Sequence, residues 1–138
     1  MEIKSFKGLV DDALEIRITV FVNEQGFVDE EDEIDSAATH LVAYDKGKPI
    51  ATCRFFKEPC GEDFILGRLC VLKEMRGEGV GARLLSEAEK GAKALGAESL
   101  KLHSQIGARA FYEKCGYKQV GEIELEQGKE HIWMKKEL

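Results

Sequence analysis

The sequence predicts an α+β domain: a mixed, largely antiparallel twisted sheet of about seven strands with about four helices on its faces. Three observations predict it. Apolar runs of strand length recur between turn clusters through the first half of the chain. The stretch from Val80 to Leu95 carries apolar residues at helical spacing. That helix joins two strand-like runs, so Phe64 to Ser104 reads as the one parallel crossover of an otherwise antiparallel sheet. The 138 residues, 43% hydrophobic and 33% charged, suffice for a single domain over 1–138 with its own core.

Met1 to Phe6 alternates with the two-residue period of a first strand. Asp11-Asp12 then offers an N-cap to a helix whose face holds Ala13, Ile16 and Val20. Between Gln25 and Ser36 lies the acidic run Asp29-Glu30-Glu31-Asp32-Glu33-Ile34-Asp35, which has little apolar periodicity and predicts a loop or a short exposed helix. His40 to Tyr44 and Ile50 to Glu58 are strand-like and flank Asp45-Lys46-Gly47-Lys48, a hairpin turn by composition. After a turn at Pro59-Cys60-Gly61, Phe64 to Leu72 extends the meander. Val80, Leu84, Leu85, Ala88, Ala92 and Leu95 line one face of the long helix, and Gly96 ends it. Ser99 to Ser104 is a short strand and Ala108 to Lys114 a brief helix ended by Gly116. A strand over Tyr117 to Glu124, a Gln127-Gly128 turn and a last strand through Trp133 close the order.

A net charge of −6 argues against a nucleic-acid or membrane-surface binder, since phosphate contacts need clustered Lys and Arg, and suits a cationic partner better. No apolar stretch approaches the ~18 residues of a spanning helix, and Met1-Glu2-Ile3-Lys4 lacks a signal peptide's apolar core, so a cytoplasmic location is expected. Cys53, Cys60, Cys70 and Cys115 show no CxxC pairing and no zinc-finger spacing, which leaves free thiols and no metal site.

Chemistry concentrates in Arg76-Gly77-Glu78-Gly79-Val80-Gly81-Ala82, between a strand and the long helix. Closely spaced glycines let backbone N–H groups converge on phosphate oxygens, and the helix adds the positive end of its dipole. Gly77-x-Gly79-x-x-Ala82 satisfies the dinucleotide fingerprint formally, but Glu98 opens the second strand where the fingerprint's acid ends it. A P-loop requires Gly-Lys-Ser/Thr, and here Gly81 is followed by Ala82-Arg83. The pattern Arg/Gln-x-x-Gly-x-Gly/Ala is met by Arg76, Gly79 and Gly81.

With that motif the chain resembles the GNAT superfamily of acetyl-coenzyme A-dependent N-acetyltransferases. A second stretch, Ala108-Arg109-Ala110-Phe111-Tyr112-Glu113-Lys114-Cys115-Gly116-Tyr117, is similar to the family's helix with a Phe-Tyr pair before Gly-aromatic. Arg17, Val20-Phe21-Val22, Glu24-Gln25, Asp32, Asp35, His40-Leu41 and His103-Ser104-Gln105 are similar to the ElaA-like branch. The resemblance implies the three-layer α/β/α GNAT fold, acetyl-coenzyme A as cofactor and a pyrophosphate held by loop amides. It further implies a strand Leu69-Cys70-Val71 that splays from the Leu100 to Ser104 strand and pairs with the pantetheine arm. The cofactor contacts so implied are Leu69, Cys70, Val71, Arg76, Gly77, Glu78, Gly79, Val80, Gly81, Ala82, Arg83, Gln105, Phe111 and Tyr112. Many relatives carry Asn where this chain has Ser104-Gln105, and Gln105 offers an amide in its place.

Acetyl transfer to an amine needs the reactants held together, a donor for the developing oxyanion and a proton for the leaving thiolate. Tyr112 matches the family's acid. A protonated amine must also lose a proton before attack, and Glu24, at the end of the first helix, is the first candidate base. His40, His103, an acidic-loop carboxylate or a water chain are the others. Cys70 raises a covalent alternative, although nothing near it in sequence lowers its pKa, and direct transfer is favoured. The acidic run either is a solvated face or attracts a cationic small-molecule or protein amine. A homodimer is allowed, and a non-catalytic acyl-coenzyme A-sensing or partner-binding module is the second function that fits these motifs.

Overall fold

The computed structural model describes residues 1–28, 31–59 and 61–138. One sheet organises it, with strands β1 (Glu2–Lys7), β2 (Thr39–Asp45), β3 (Lys48–Lys57), β4 (Phe64–Val71), β5 (Ser99–Gln105), β6 (Lys118–Gln119), β7 (Glu124–Glu126) and β8 (Lys129–Glu137). Their order is β1-β2-β3-β4-β5-β8-β6, with β7 also paired to β8. Every pairing is antiparallel except β4 with β5. That parallel pair demands a crossover, supplied by helix α2 (Val80–Ala94).

Eight strands stand where about seven are expected, because the Tyr117 to Glu124 run divides into β6 and β7 around Gly121, whose φ is 97°. Among the described residues the α-helices number three, α1 (Asp11–Arg17), α2 and α3 (Arg109–Lys114), where about four are expected. The shortfall lies at the acidic run, where Glu33–Ser36 forms only a single 3-10 turn. Val10, not an aspartate, takes the N-cap position of α1. Asp11 and Asp12 sit in its first turn, where they favour the dipole.

Period-2 alternation sorts the core into two layers. Leu41 and Ala43 join the large cluster with Leu84, Leu85 and Ala88 of α2, while Val42 between them packs with Ala13, Ile16 and Val20. A regular β4 would keep Leu66 and Cys70 on one face. Instead Leu66 belongs to the α2 cluster and Cys70 to the α1 cluster. The cause is a bulge: the β3–β4 register shifts between Thr52↔Cys70 and Arg54↔Gly67, and Arg68 takes a left-handed φ of 54°. One extra residue flips every later side chain to the other face.

Among the described residues of the acidic run, Glu31 and Glu33 are exposed, whereas Asp32 is half-buried and Asp35 buried. Asp32 and Asp35 form a capping box around the 3-10 turn, and Asp35 is buried. Arg17, fully buried, donates to both Asp35 oxygens at 2.8 and 3.0 Å. Arg54 donates to both Asp32 oxygens at 2.6 and 2.8 Å and to Asp35 at 2.7 Å. Burial alone would raise the Asp35 pKa, but the Arg17 hydrogen bonds and the Asp32 amide hold it well below the usual carboxylate range. These two aspartates are therefore both engaged by internal arginines. Asp29, Glu30 and Cys60 lie outside the described residues.

Candidate active site

The site begins where β4 and β5 part. Their pairing runs only from Phe64↔Leu100 to Leu66↔Leu102, although β4 continues to Val71 and β5 to Gln105. The Arg68 bulge turns β4 away at that point and opens a wedge with unpaired backbone on its walls. Two cavities of about 530 Å³ each occupy it.

The first cavity is bounded by Leu69, Cys70 and Val71 of β4, by Gly77, Gly79, Val80, Gly81 and Ala82, and by Phe111 and Tyr112 of α3. Gly77 and Gly79 have φ of 83° and 79°, the left-handed region that glycine enters without strain. Gly79 is the N-cap of α2, and no side chain caps that end. The first-turn amides therefore remain available to an anion, reinforced by the dipole of a 15-residue helix. A Cβ at Gly81 would lie 3.4 Å from the Phe111 ring, so glycine there lets α2 start directly beside α3. This cradle fits the pyrophosphate of an acyl-coenzyme A. Arg76 also lines it, and Val20, Gln25, Met75 and Ala108, which were not expected from sequence, complete the lining. Glu78, Arg83 and Gln105 are absent from this lining.

Gln105 faces the second cavity, and its amide donates to Gln25 Oε1 at 2.8 Å. The other walls are Phe21, Phe27, Arg68, His103, Glu126 and His131. Gln127 closes it by a two-way bond to Val28: its Oε1 accepts from the Val28 amide at 3.0 Å and its Nε2 donates to the Val28 carbonyl at 3.3 Å. Of these residues only His103 and Gln105 were candidates from sequence. Glu126 and His131 face each other across the Gln127-Gly128 hairpin, whereas Phe27 and His103 join them from distant segments through strand register and loop contacts that had no local signal.

Tyr112 lines both cavities. Its ring meets Phe111 edge-on at 5.0 Å and Tyr117 at 5.9 Å, and its carbonyl accepts from the Tyr117 amide at 3.0 Å. Burial pushes its phenol well above the usual range, so it keeps its proton at neutral pH.

Glu24 has a different position from that expected of a base. The π-helical segment Ile18–Glu24 continues α1 and delivers Glu24 to Arg76, whose two terminal nitrogens donate to its two oxygens at 2.6 Å each. Arg76 also donates from Nε to the Val71 carbonyl at 2.9 Å, which ties it to the end of β4. Arg76 thus pairs with Glu24 rather than with its sequence neighbours Glu74 or Glu78. The Arg76 hydrogen bonds lower the Glu24 pKa and weaken it as a base, and Glu24 lines neither cavity. His40 is fully buried, with Nε2 2.9 Å from the Asp35 carbonyl, and also lines neither. Cys70 borders the first cavity, and Cys53 is buried with its thiol pKa pushed up by desolvation.

The model of the acetyltransferase (GNAT) domain matches residues 11–138. An uncharacterized N-acetyltransferase of Bacillus subtilis, YjcF, is 39% identical over 130 residues, which cover 91% of this chain and 91% of that protein. The crystal structure of Escherichia coli ElaA superposes with a TM-score of 0.88 at 26% identity over 99% of each chain. An acyl-CoA N-acyltransferase from Pseudomonas aeruginosa superposes at 0.86, also with 26% identity over 99% of each chain. No described helix is long and apolar enough to cross a membrane.

Proposed function

The chain belongs to the GNAT acetyltransferase family and is an N-acetyltransferase, and on that premise we propose direct transfer from acetyl-coenzyme A to a primary amine bound beside it. What the donor supplies is an acetyl group activated as a thioester. The chain's own residues bind and orient it: amides of Gly79 to Ala82 hold phosphate oxygens, and the unpaired β4 backbone from Leu69 to Val71 pairs with the pantetheine arm. Arg76, fixed by Glu24 and by the Val71 carbonyl, stands at the mouth. Tyr112 gives a proton to the departing sulfur.

The observation that supports this reading is that the two cavities share a wall formed by Gln25, Leu69, Arg76, Ala108 and Tyr112, of which Tyr112 alone carries a weakly acidic hydroxyl. The name of the Pseudomonas aeruginosa relative, an acyl-CoA N-acyltransferase, supports the same donor. Thiol release from acetyl-coenzyme A, measured over a panel of amines, tests it. Tyr112→Phe should lower kcat by about 10²-fold, the usual weight of a positioned acid, with donor affinity unchanged. Equal rates for the two proteins would remove Tyr112 from the chemistry. Tight donor binding without turnover on any amine would favour an acyl-coenzyme A-sensing module. An acetyl adduct on the intact protein in the absence of amine would point to Cys70 and a covalent route.

A further inference from the structure

The second cavity carries a histidine cluster to which the transfer reaction assigns no role. His103 of β5 stacks on Trp133 of β8 with ring centres 4.7 Å apart and sits 5.0 Å from the His131 ring. Its Nε2 is closed off from solvent and lies 3.4 Å from Glu124 Oε1, while Nδ1 lies 3.9 Å from Glu126 Oε2. Both carboxylates come from β7, which the Gln127–Val28 bonds hold against the Phe27 segment. Arg68, which pairs with Asp32 at 3.3 Å, shares the cavity lining with His103, and the Lys101 ammonium lies over the Trp133 ring at 5.2 Å.

Glu24 and the other two histidines are already engaged by partners. Glu24 is held by Arg76, and His40 sits inside the buried arginine network. At His131, Nδ1 donates to the Lys129 carbonyl at 2.9 Å and Nε2 lies 3.3 Å from Glu126. His103 alone combines a place on the cavity wall, a ring held flat by stacking and a carboxylate beside each nitrogen.

Resting on the acetyltransferase reading above, we infer that His103 accepts the proton of the acceptor amine, that Glu124 and Glu126 stabilise the imidazolium so formed, and that the acceptor is an alkyl ammonium whose apolar part packs on Phe27. The Glu124 carboxylate favours the Nε2–H tautomer, which leaves the Nδ1 lone pair to the cavity. Of the three ammonium protons, one moves to His103 Nδ1 and on to solvent. The freed electron pair forms the bond to the acetyl carbon as the carbon–sulfur bond breaks. A second proton leaves the nitrogen for solvent, balancing the one that Tyr112 gives to sulfur and later regains, and the third stays on the amide. Burial lowers the His103 pKa, so the ring is neutral and able to accept at pH 7.

The test joins kinetics to a titration that needs no turnover. His103→Gln should lower kcat by about 10²-fold, leave the calorimetric affinity for acetyl-coenzyme A unchanged, and abolish the acidic limb of the kcat/KM profile. In wild type that limb should coincide with the midpoint of the His103 ring signals by NMR. Glu126→Gln, an exposed position, removes a charge that raises the His103 pKa, so limb and midpoint should move together to lower pH. If His103→Gln does not fold, the wild-type coincidence and the Glu126→Gln shift decide. Wild-type turnover with an indifferent His103→Gln, or a limb that does not follow the NMR midpoint, overturns the inference alone. A wild type that acetylates no amine overturns it together with the acetyltransferase reading.

Discussion

Two arginine–carboxylate systems of nearly the same geometry flank the wedge. Arg17 grips Asp35 through two bonds of 2.8 and 3.0 Å, and Arg76 grips Glu24 through two of 2.6 Å. Their surroundings differ: the side chains of the first pair are 1% and 6% exposed, those of the second 39% and 36%. Bond length would rank the second as stronger. Burial reverses the order, because breaking a desolvated pair strands a charge, whereas water readily replaces an exposed partner. The first system braces β3 and β4 at the bulge through Arg54 and Arg68, so it sets the shape of the site. The second stands at the entrance, where a phosphate can compete for the arginine.

The largest effect is therefore expected at the buried system. Asp35→Asn removes the buried charge that Arg17 and Arg54 both grip and should cost about 3–5 kcal/mol in urea unfolding. The native Asp35 pKa is depressed, so its stabilisation is complete above the unfolded value near 3.9 and is lost as pH falls toward the native one. The stability gap between wild type and Asp35→Asn should then close below about pH 4. A gap independent of pH, or below about 1 kcal/mol, would place this pair with the exposed kind.

At the mouth the effect should fall on binding rather than folding. Gly79→Asp and Gly81→Asp put a carboxylate where phosphate charge is expected. At about 4 Å, in an effective dielectric near 20, that repulsion is roughly 4 kcal/mol, enough for at least about a hundredfold loss of acetyl-coenzyme A affinity by calorimetry. Unchanged affinity in either variant would remove the glycine cradle as the donor site.

The same contrast explains what could be read from the chain alone. The cradle and Tyr112 were legible because each is a local pattern whose chemistry needs adjacent residues. So was the crossover, from the apolar period of α2 between two strands. Arg17, Asp32, Asp35 and His40 were visible only as separate points of family likeness. Their union depends on Arg54 reaching across the bulge, and Asp32 and Asp35 therefore read as part of a solvated acidic face. The second cavity was least legible, since Phe27, His103, Glu126 and His131 meet through the β5–β8 register, the β7–β8 pairing and the Gln127–Val28 bonds.

The smallest effect should come from the entrance pair itself, and its sign matters more than its size. Arg76 is anchored independently of Glu24 by its Nε bond to the Val71 carbonyl, so removing the carboxylate charge leaves the guanidinium in place but uncompensated. Glu24→Gln should then raise acetyl-coenzyme A affinity by a few-fold at low salt, with the gain fading as ionic strength screens the exposed charge. Arg76→Ala should lower affinity by a similar factor, and the double variant should resemble Arg76→Ala, because Glu24 acts here only through its partner. A loss of affinity in Glu24→Gln would show instead that the carboxylate orients Arg76. Equal kcat in Glu24→Gln and wild type would separate this residue from proton removal, whereas a kcat loss with unchanged affinity would return it to that role.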